Sequence, residues 1–312
     1  MKEYQYRKAE LKDKNNILNF LSMAYKLPLE NISEMFSFSK TASIEKKIYF
    51  VYKQGINKPI SLIGAIKNDF GLNFCYFAIH VKYRKTKEVW NITKFILDNE
   101  FDLENISSHV YTTIDSVVEL ASAYNLFPSA YINIMPNTHM YYLYRKGKKF
   151  NFKPCYVPKY FQSQLKQILT NLNIEIINSY KPIANRKIKN RSDVKIIKPS
   201  PQTYDIEFTL IDEIGYDLYE TIMNSNNQLR NISVLAFNLY DHNILDINII
   251  DKFLDTGYRY CGFIFNLGSL PRFCLQKMFS SELTEERDIH EKFYSIYKIF
   301  LKDFNKNENI IY

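Results

Sequence analysis

The chain has 312 residues, enough for one large domain or two of ordinary size. Hydrophobic residues make up 46% and charged residues 24%, proportions that suit a globular protein with a full core, and the formal net charge is +8. No apolar run approaches the roughly 18 residues of a membrane span, and "MKEYQYRKAELKDKNN" lacks the apolar core of a secretory signal. Cys75, Cys155, Cys261 and Cys274 are scattered without a C-x-x-C pair, so they read as small buried hydrophobes in a reducing cytoplasm.

The first 150 residues alternate between strand and helix periods. "YQYRKAE" is a short strand, and "KDKNNILNFLSMAYK" sets Ile17, Phe20, Leu21 and Tyr25 on one helical face. A weaker helical stretch covers "ENISEMFSFSKTASIEKK". "KIYFVYKQ" and "PISLIGAIKN" form a hairpin around Gly55, Asn57 and Pro59. "LNFCYFAIHVKY" is a long, polar-poor strand suited to a central position. It leads through the basic turn Tyr83-Arg84-Lys85-Thr86-Lys87 into a helix from about Glu88 to Asn99. The strand "SHVYTTI", the helix "SVVELASAYNL" and the strands "AYINIM" and "HMYYLYRK" complete the region.

Between Arg145 and Lys198 stand fourteen Lys or Arg against Glu175 and Asp193, a local balance of +12 that leaves the rest of the chain near −4. Such a segment either meets a polyanion or serves as a solvated connector. It includes a helix from Pro158. A second alternating region follows: strand "IEFTLID", helix "GYDLYETIMNSNNQLRN", strand "ISVLAFNLY" and helix "NILDINIIDKFLDTG" capped by Gly257. The strands "YRYCGFIFNL" and "RFCLQKMF" come next, then a terminal helix opening at Thr284 with Glu285 and Glu286 in its first turn.

The first-half order β-α-α-β-β-β-α-β-α-β-β resembles the acyl-CoA-binding fold of the GNAT acyltransferase superfamily. The later run β-α-β-α-β-β repeats its second half: "NLYD…FLDTGYRYCGF" corresponds to "YTTID…SAYNLFPSAYI". Tyr156-Val157-Pro158 and Gly257-Tyr258…Cys261-Gly262-Phe263 are similar to segments of two-module GNAT-related proteins. The resemblance implies an α/β protein of two GNAT-like modules, each a mixed, mainly antiparallel sheet flanked by helices. Residues 1–150 would be the first, 151–199 a basic connector with a helix, and 200–312 a second, truncated module.

In the superfamily the central strand ends in [RQ]-x-x-G-x-[GA], whose bare backbone clasps the CoA pyrophosphate at a helix N-terminus. Here Arg84 matches the first position, but Lys87 and Val89 occupy the small-residue positions, and no glycine occurs between Gly71 and Gly147. Either Arg84, Lys85 and Lys87 hold the donor by side-chain charge, with Thr86 between them in the same cofactor-binding turn, or the nucleotide site is lost. The resemblance places the donor's pantetheine arm along Ile79 and Val81. It offers His80 as general base towards an amine, against a hydrogen-bonded core histidine. Tyr124 would be the acid for the leaving thiolate, although Leu126-Phe127 replaces the usual Gly-Phe after it.

Asp241-His242 has no G-x-S-x-G nucleophile near it and reads as a turn. Five scattered histidines supply no metal cluster. The implied activity is acyl transfer to an amine from acyl-CoA or another phosphopantetheine-linked thioester. An acidic acyl or peptidyl carrier protein is a candidate partner, because it brings the arm without a nucleotide. The alternatives are a catalytically degenerate GNAT-fold binding protein and, ranked last for want of an RNA-binding motif, an RNA-dependent aminoacyltransferase.

Overall fold

The computed structural model describes residues 3–26, 28–30, 46–68, 71–101, 105–111, 124–135, 138–145, 147–148, 154–156, 175–177, 194–197, 206–211, 232–238, 247–265 and 271–277, with isolated positions at 166, 169–170, 224, 294 and 297–298. The chain divides into two compact units. The first is Met1–Ser108 with Lys146–Phe150, and the second is His109–Arg145 with Asn151–Tyr312. Residues 109–145, read from the sequence as part of the first module, group with the second unit.

In the first unit, β1 (Tyr4–Lys8), β2 (Lys46–Lys53), β3 (Ser61–Asn68) and β4 (Gly71–Ile79) form an antiparallel meander. The turn after β2 carries Gly55 at φ +79, a conformation open to glycine without steric cost. β5 (Ile106–Tyr111) runs parallel to β4, pairing Leu72–Phe74 with Ile106–Ser108, and the Ser108 hydroxyl donates to the Phe74 carbonyl at 2.8 Å. The parallel step requires a crossover. The connecting helix α2 (Lys87–Glu100) supplies it, burying Val89, Ile92, Thr93, Ile96 and Leu97 at helical spacing. Each fully buried aliphatic side chain there stabilises the helix by about 1.5–3 kcal/mol.

Helix α1 (Lys14–Tyr25) lays Ile17, Phe20, Leu21 and Ala24 against Ile48, Phe50, Leu62 and Ala78. Its entry is fixed by a two-pronged pair: Arg7 donates to both Asp13 carboxylate oxygens at 2.7 and 2.8 Å, while the Glu10 amide donates to the same carboxylate at 2.9 Å. The Arg7 guanidinium also lies over the rings of Phe50 and Tyr52. The stretch expected to form a second helix, residues 30–47, lies mostly outside the described residues.

The second unit holds a sheet in the order β7-β6-β13-β14-β12-β11-β10. β6 (Phe127–Met135) and β7 (Thr138–Arg145) form a hairpin, and β13 (Tyr258–Ile264) and β14 (Arg272–Lys277) form another. β10 (Val194–Ile197) pairs antiparallel with β11 (Ile206–Ile211), and β11 runs parallel to β12 (Ile232–Asn238). Val194–Ile197 belongs to the stretch read from sequence as connector, yet it is a strand. A separate short parallel pair joins β8 (Cys155–Tyr156) to β9 (Ile176–Ile177). Helix α3 (Ile247–Asp255) ends at Gly257, whose φ is +97, as the sequence suggested.

β6 meets β13 antiparallel at Ala130 and Gly262. Gly262 follows a bulge at Cys261 and adopts φ +126. A Cβ there would stand 2.3 Å from the Ser129 carbonyl oxygen and 2.4 Å from the Ala130 Cα, so this junction requires glycine. Below it, Ala130, Ile132, Met140, Tyr142, Val234, Ala236, Cys261, Ile264 and Cys274 form one core. Cys261 and Cys274 are buried free thiols, and burial pushes the Cys261 thiol well up. Both are the buried hydrophobes expected of them.

Candidate functional site

The expected long strand stops earlier than its composition suggests. β4 ends at Ile79, which is buried and pairs with Ser61; a single 3₁₀ turn, Val81–Tyr83, follows, and α2 begins at Lys87. A bulge at Cys75 interrupts the β3–β4 register just beyond the described parallel pairing with β5. His80 is therefore not a strand residue at all. It caps the 3₁₀ turn in extended backbone geometry (φ −56, ψ 135), half-buried, with its amide donating to the Ile60 carbonyl at 2.9 Å. Its Nδ1 accepts from the Lys82 amide at 3.3 Å, and its ring meets Tyr83 edge-on at 5.8 Å. With Nδ1 accepting, the neutral ring carries its proton on Nε2, and Nδ1 is the nitrogen with a lone pair to take a further one.

The basic turn has two parts with different work to do. Arg84 donates from Nε to the Ile79 carbonyl at 3.2 Å and from Nη2 to the Ala24 carbonyl at 2.5 Å. It thus closes the end of β4 and satisfies a carbonyl in the last turn of α1. The Arg84 carbonyl in turn accepts from the Trp90 indole at 2.8 Å. Lys85 and Lys87 project into solvent, and Thr86 is the N-cap of α2 without a side-chain cap hydrogen bond. The Thr86 carbonyl accepts from the Val89 and Trp90 amides. The amides of Lys87 and Glu88 have no hydrogen-bond partner among the described residues. Two free N–H groups, the positive end of a 14-residue helix and two exposed lysines together suit an anion. The Glu88 carboxylate in the first turn opposes it in part.

Val89 has a different place from the one its alignment with the glycine-rich loop implies. Its side chain is fully buried on the core face of α2, so it does not stand over the free amides. Lys87 is then the single large side chain of the pair at the position where bare backbone is usual.

No protein-family model matches the sequence, and neither does any curated protein. Among solved structures, the chain is similar to spermidine N-acetyltransferase from Vibrio cholerae in complex with CoA and spermine, at 15% identity and TM-score 0.38 over 48% of this chain and 98% of that one. It is similar to the ribosomal-protein-S18-alanine N-acetyltransferase from Escherichia coli at 9% identity and TM-score 0.37, covering 48% and 99%. A GNAT-family acetyltransferase from Bacillus cereus stands at 13% and 0.36, covering 46% and 97%. Each likeness spans about half of the present chain, and at such scores none bears on substrate or catalytic residue.

Ile79, His80, Val81, Arg84, Lys85, Thr86 and Lys87 are thus gathered at one strand-to-helix junction of the first unit. Tyr124 belongs to the second unit. It is buried and lies in a turn with Asn125 at φ +55, not in the middle of a helix. The helix expected before it, and the Asp241-His242 turn, lie outside the described residues. Among the described residues no three His, Cys, Asp or Glu side chains group as metal ligands, and no helix is long and apolar enough to cross a membrane. Sequence reasoning missed the Arg84–Ala24 bond, and the signal for it is nonlocal: the partner is a backbone carbonyl sixty positions away.

Proposed function

We propose that the chain is a GNAT-like N-acyltransferase that moves an acyl group from a phosphopantetheine thioester, on CoA or on an acyl or peptidyl carrier protein, to an amine. The observation that carries this reading is the junction itself: a β4 end, a half-buried histidine and a helix N-terminus with free amides follow one another within a dozen residues. In the reaction the amine nitrogen forms a bond to the thioester carbonyl carbon and the carbon–sulfur bond breaks. The proton lost by the amine passes to His80 at Nδ1, which gives up its hydrogen bond from the Lys82 amide, and the leaving thiolate takes a proton from solvent. Ile79 and Val81 would line the pantetheine arm, while Lys85, Thr86 and Lys87 would meet its phosphate at the α2 N-terminus. Arg84 acts on them by holding the turn.

The two-module reading, 1–150 and 200–312 about a basic connector 151–199, is part of this proposal. It is supported by pairing: β11 runs parallel to β12 as β4 does to β5, and the β13–β14 hairpin answers the β6–β7 hairpin. A second reading, a binding protein on the same scaffold without catalysis, is favoured by one fact: Arg84, the matching residue of the phosphate motif, gives its Nε and Nη2 donors to backbone carbonyls. Native mass spectrometry with acetyl-CoA, longer acyl-CoAs and acyl carrier proteins, followed by an amine-acylation assay, separates the two. Thioester binding with product formation supports the enzyme; binding of a carrier or thioester without turnover supports the second reading; no binding of any thioester removes the first.

A further inference from the structure

We infer that the β4–α2 turn and the C-terminal end of α1 form one docking face for an acidic acyl-carrier protein, which would present its phosphopantetheine thioester at the end of β4. The inference rests on the acyl-transfer reading and names its partner and the surface that receives it. Two segments distant in sequence are fastened together by the Arg84 guanidinium, which bonds Ile79 and Ala24 at once. On the α1 side Met23 is 45% and Leu29 47% exposed; on the turn side Val81 is 53% exposed. One exposed hydrophobe needs no explanation, but here three stand on two segments that a single side chain joins.

The same two segments are rich in cations. Lys26, Lys82 and Lys85 are all exposed, and none forms an ion pair among the described residues. Across the two segments, residues 23–30 and 81–88, five basic side chains stand against the carboxylates of Glu30 and Glu88. Exposed apolar and basic side chains carried on the same two segments complement an acidic amphipathic helix, because the charges steer the encounter while the apolar groups supply contact area. The chemistry next to these side chains selects the carrier among acidic proteins. A carrier brings the phosphopantetheine phosphate without a nucleotide pyrophosphate, and a turn that offers two amides and lysines in place of a glycine-lined cradle suits that smaller anion.

The test uses the full chain and the acyl carrier protein of the source organism in its apo form, which lacks the prosthetic arm and so reports the docking face alone. Isothermal titration is expected to show binding that weakens about tenfold or more when salt rises from about 0.05 to 0.3 M. The double variant Met23→Ser with Lys26→Glu should lose at least about tenfold in affinity, with melting curves unchanged and turnover of acetyl-CoA unaffected. Equal binding of the carrier by wild type and double variant overturns the inference. So does binding of phosphatidylglycerol vesicles with no binding of the carrier. If the apo-carrier binds and the double variant does not, but no acyl group moves from acylated carrier to any amine, the docking face stands and the acyl-transfer reading falls.

Discussion

Asp13 is nearly buried, and the Arg7 hydrogen bonds, joined by the Glu10 amide, hold its carboxyl well below the usual carboxylate range. A carboxylate held down in the folded state adds stability that is present above the ordinary value near 3.9 and lost as pH falls towards the folded one. Asp13→Asn is therefore expected to destabilise the protein at pH 7 by about 2 kcal/mol, the worth of a charge-assisted hydrogen bond. The gap should narrow steadily below about pH 4, as Asp13 of the unfolded wild-type chain takes up a proton that the folded carboxyl does not. Denaturant unfolding at pH 7 and pH 3 measures both, and a gap that does not change with pH would speak against the account. His80 invites a different experiment. Its Nδ1 is committed to the Lys82 amide, which a glutamine side-chain oxygen can replace. His80→Gln should leave melting temperature and donor affinity nearly unchanged while lowering kcat by about a hundredfold or more if His80 is the base. Parallel loss of stability and turnover would assign it to structure.

At the scale of elements, α2 and its turn decide whether CoA can bind. Val89→Gly empties a filled core position and adds a helical glycine, so it should cost about 3 kcal/mol without helping the ligand. Lys87→Gly removes the side chain that stands at the solvent end of the free amides and should cost only about 1 kcal/mol. We expect it to tighten CoA binding in a titration calorimeter, and a weakening would show that the lysine charge matters more than bare backbone. The hairpins and the crossover were legible in the sequence, because Gly55, Asn57 and Pro59 mark a turn and Val89, Ile92, Ile96 and Leu97 repeat at helical spacing. The end of β4 was not. "AIHVKY" continues the apolar and aromatic composition of the strand, and the observed end coincides with Arg84 reaching back to two carbonyls, a contact no local pattern encodes. β10 was missed for the opposite reason: "VKII" is four residues long among lysines, and only its pairing with β11 makes it a strand.

Across the whole chain, the charge asymmetry and the β6–β13 junction have separate consequences. If the basic stretch from Arg145 to Lys198 engages a polyanion, binding should weaken steeply with salt, since screening acts within about 8–10 Å. Salt-insensitive binding would make it a solvated linker. At the junction, Gly262→Ala puts a methyl group where the Ser129 oxygen and Ala130 backbone already are, at a φ of +126 that L side chains rarely adopt. Backbone cannot yield as a flexible side chain would, so the expected loss is at least about 3 kcal/mol, read as a lower midpoint in urea. An unchanged midpoint would mean that the two hairpins need not meet so closely.

That meeting also sets an order of events during synthesis. The hairpin Phe127–Arg145 leaves the ribosome well before Tyr258–Ile264 has been translated, yet its edge at Ala130 is completed only by Gly262. For that interval a nascent chain carries a strand edge without its partner, the kind of surface that recruits neighbouring chains. Polypeptides that stall or are cut between the two hairpins should accordingly be the ones that chaperones retain, whereas full-length chains escape once β13 arrives.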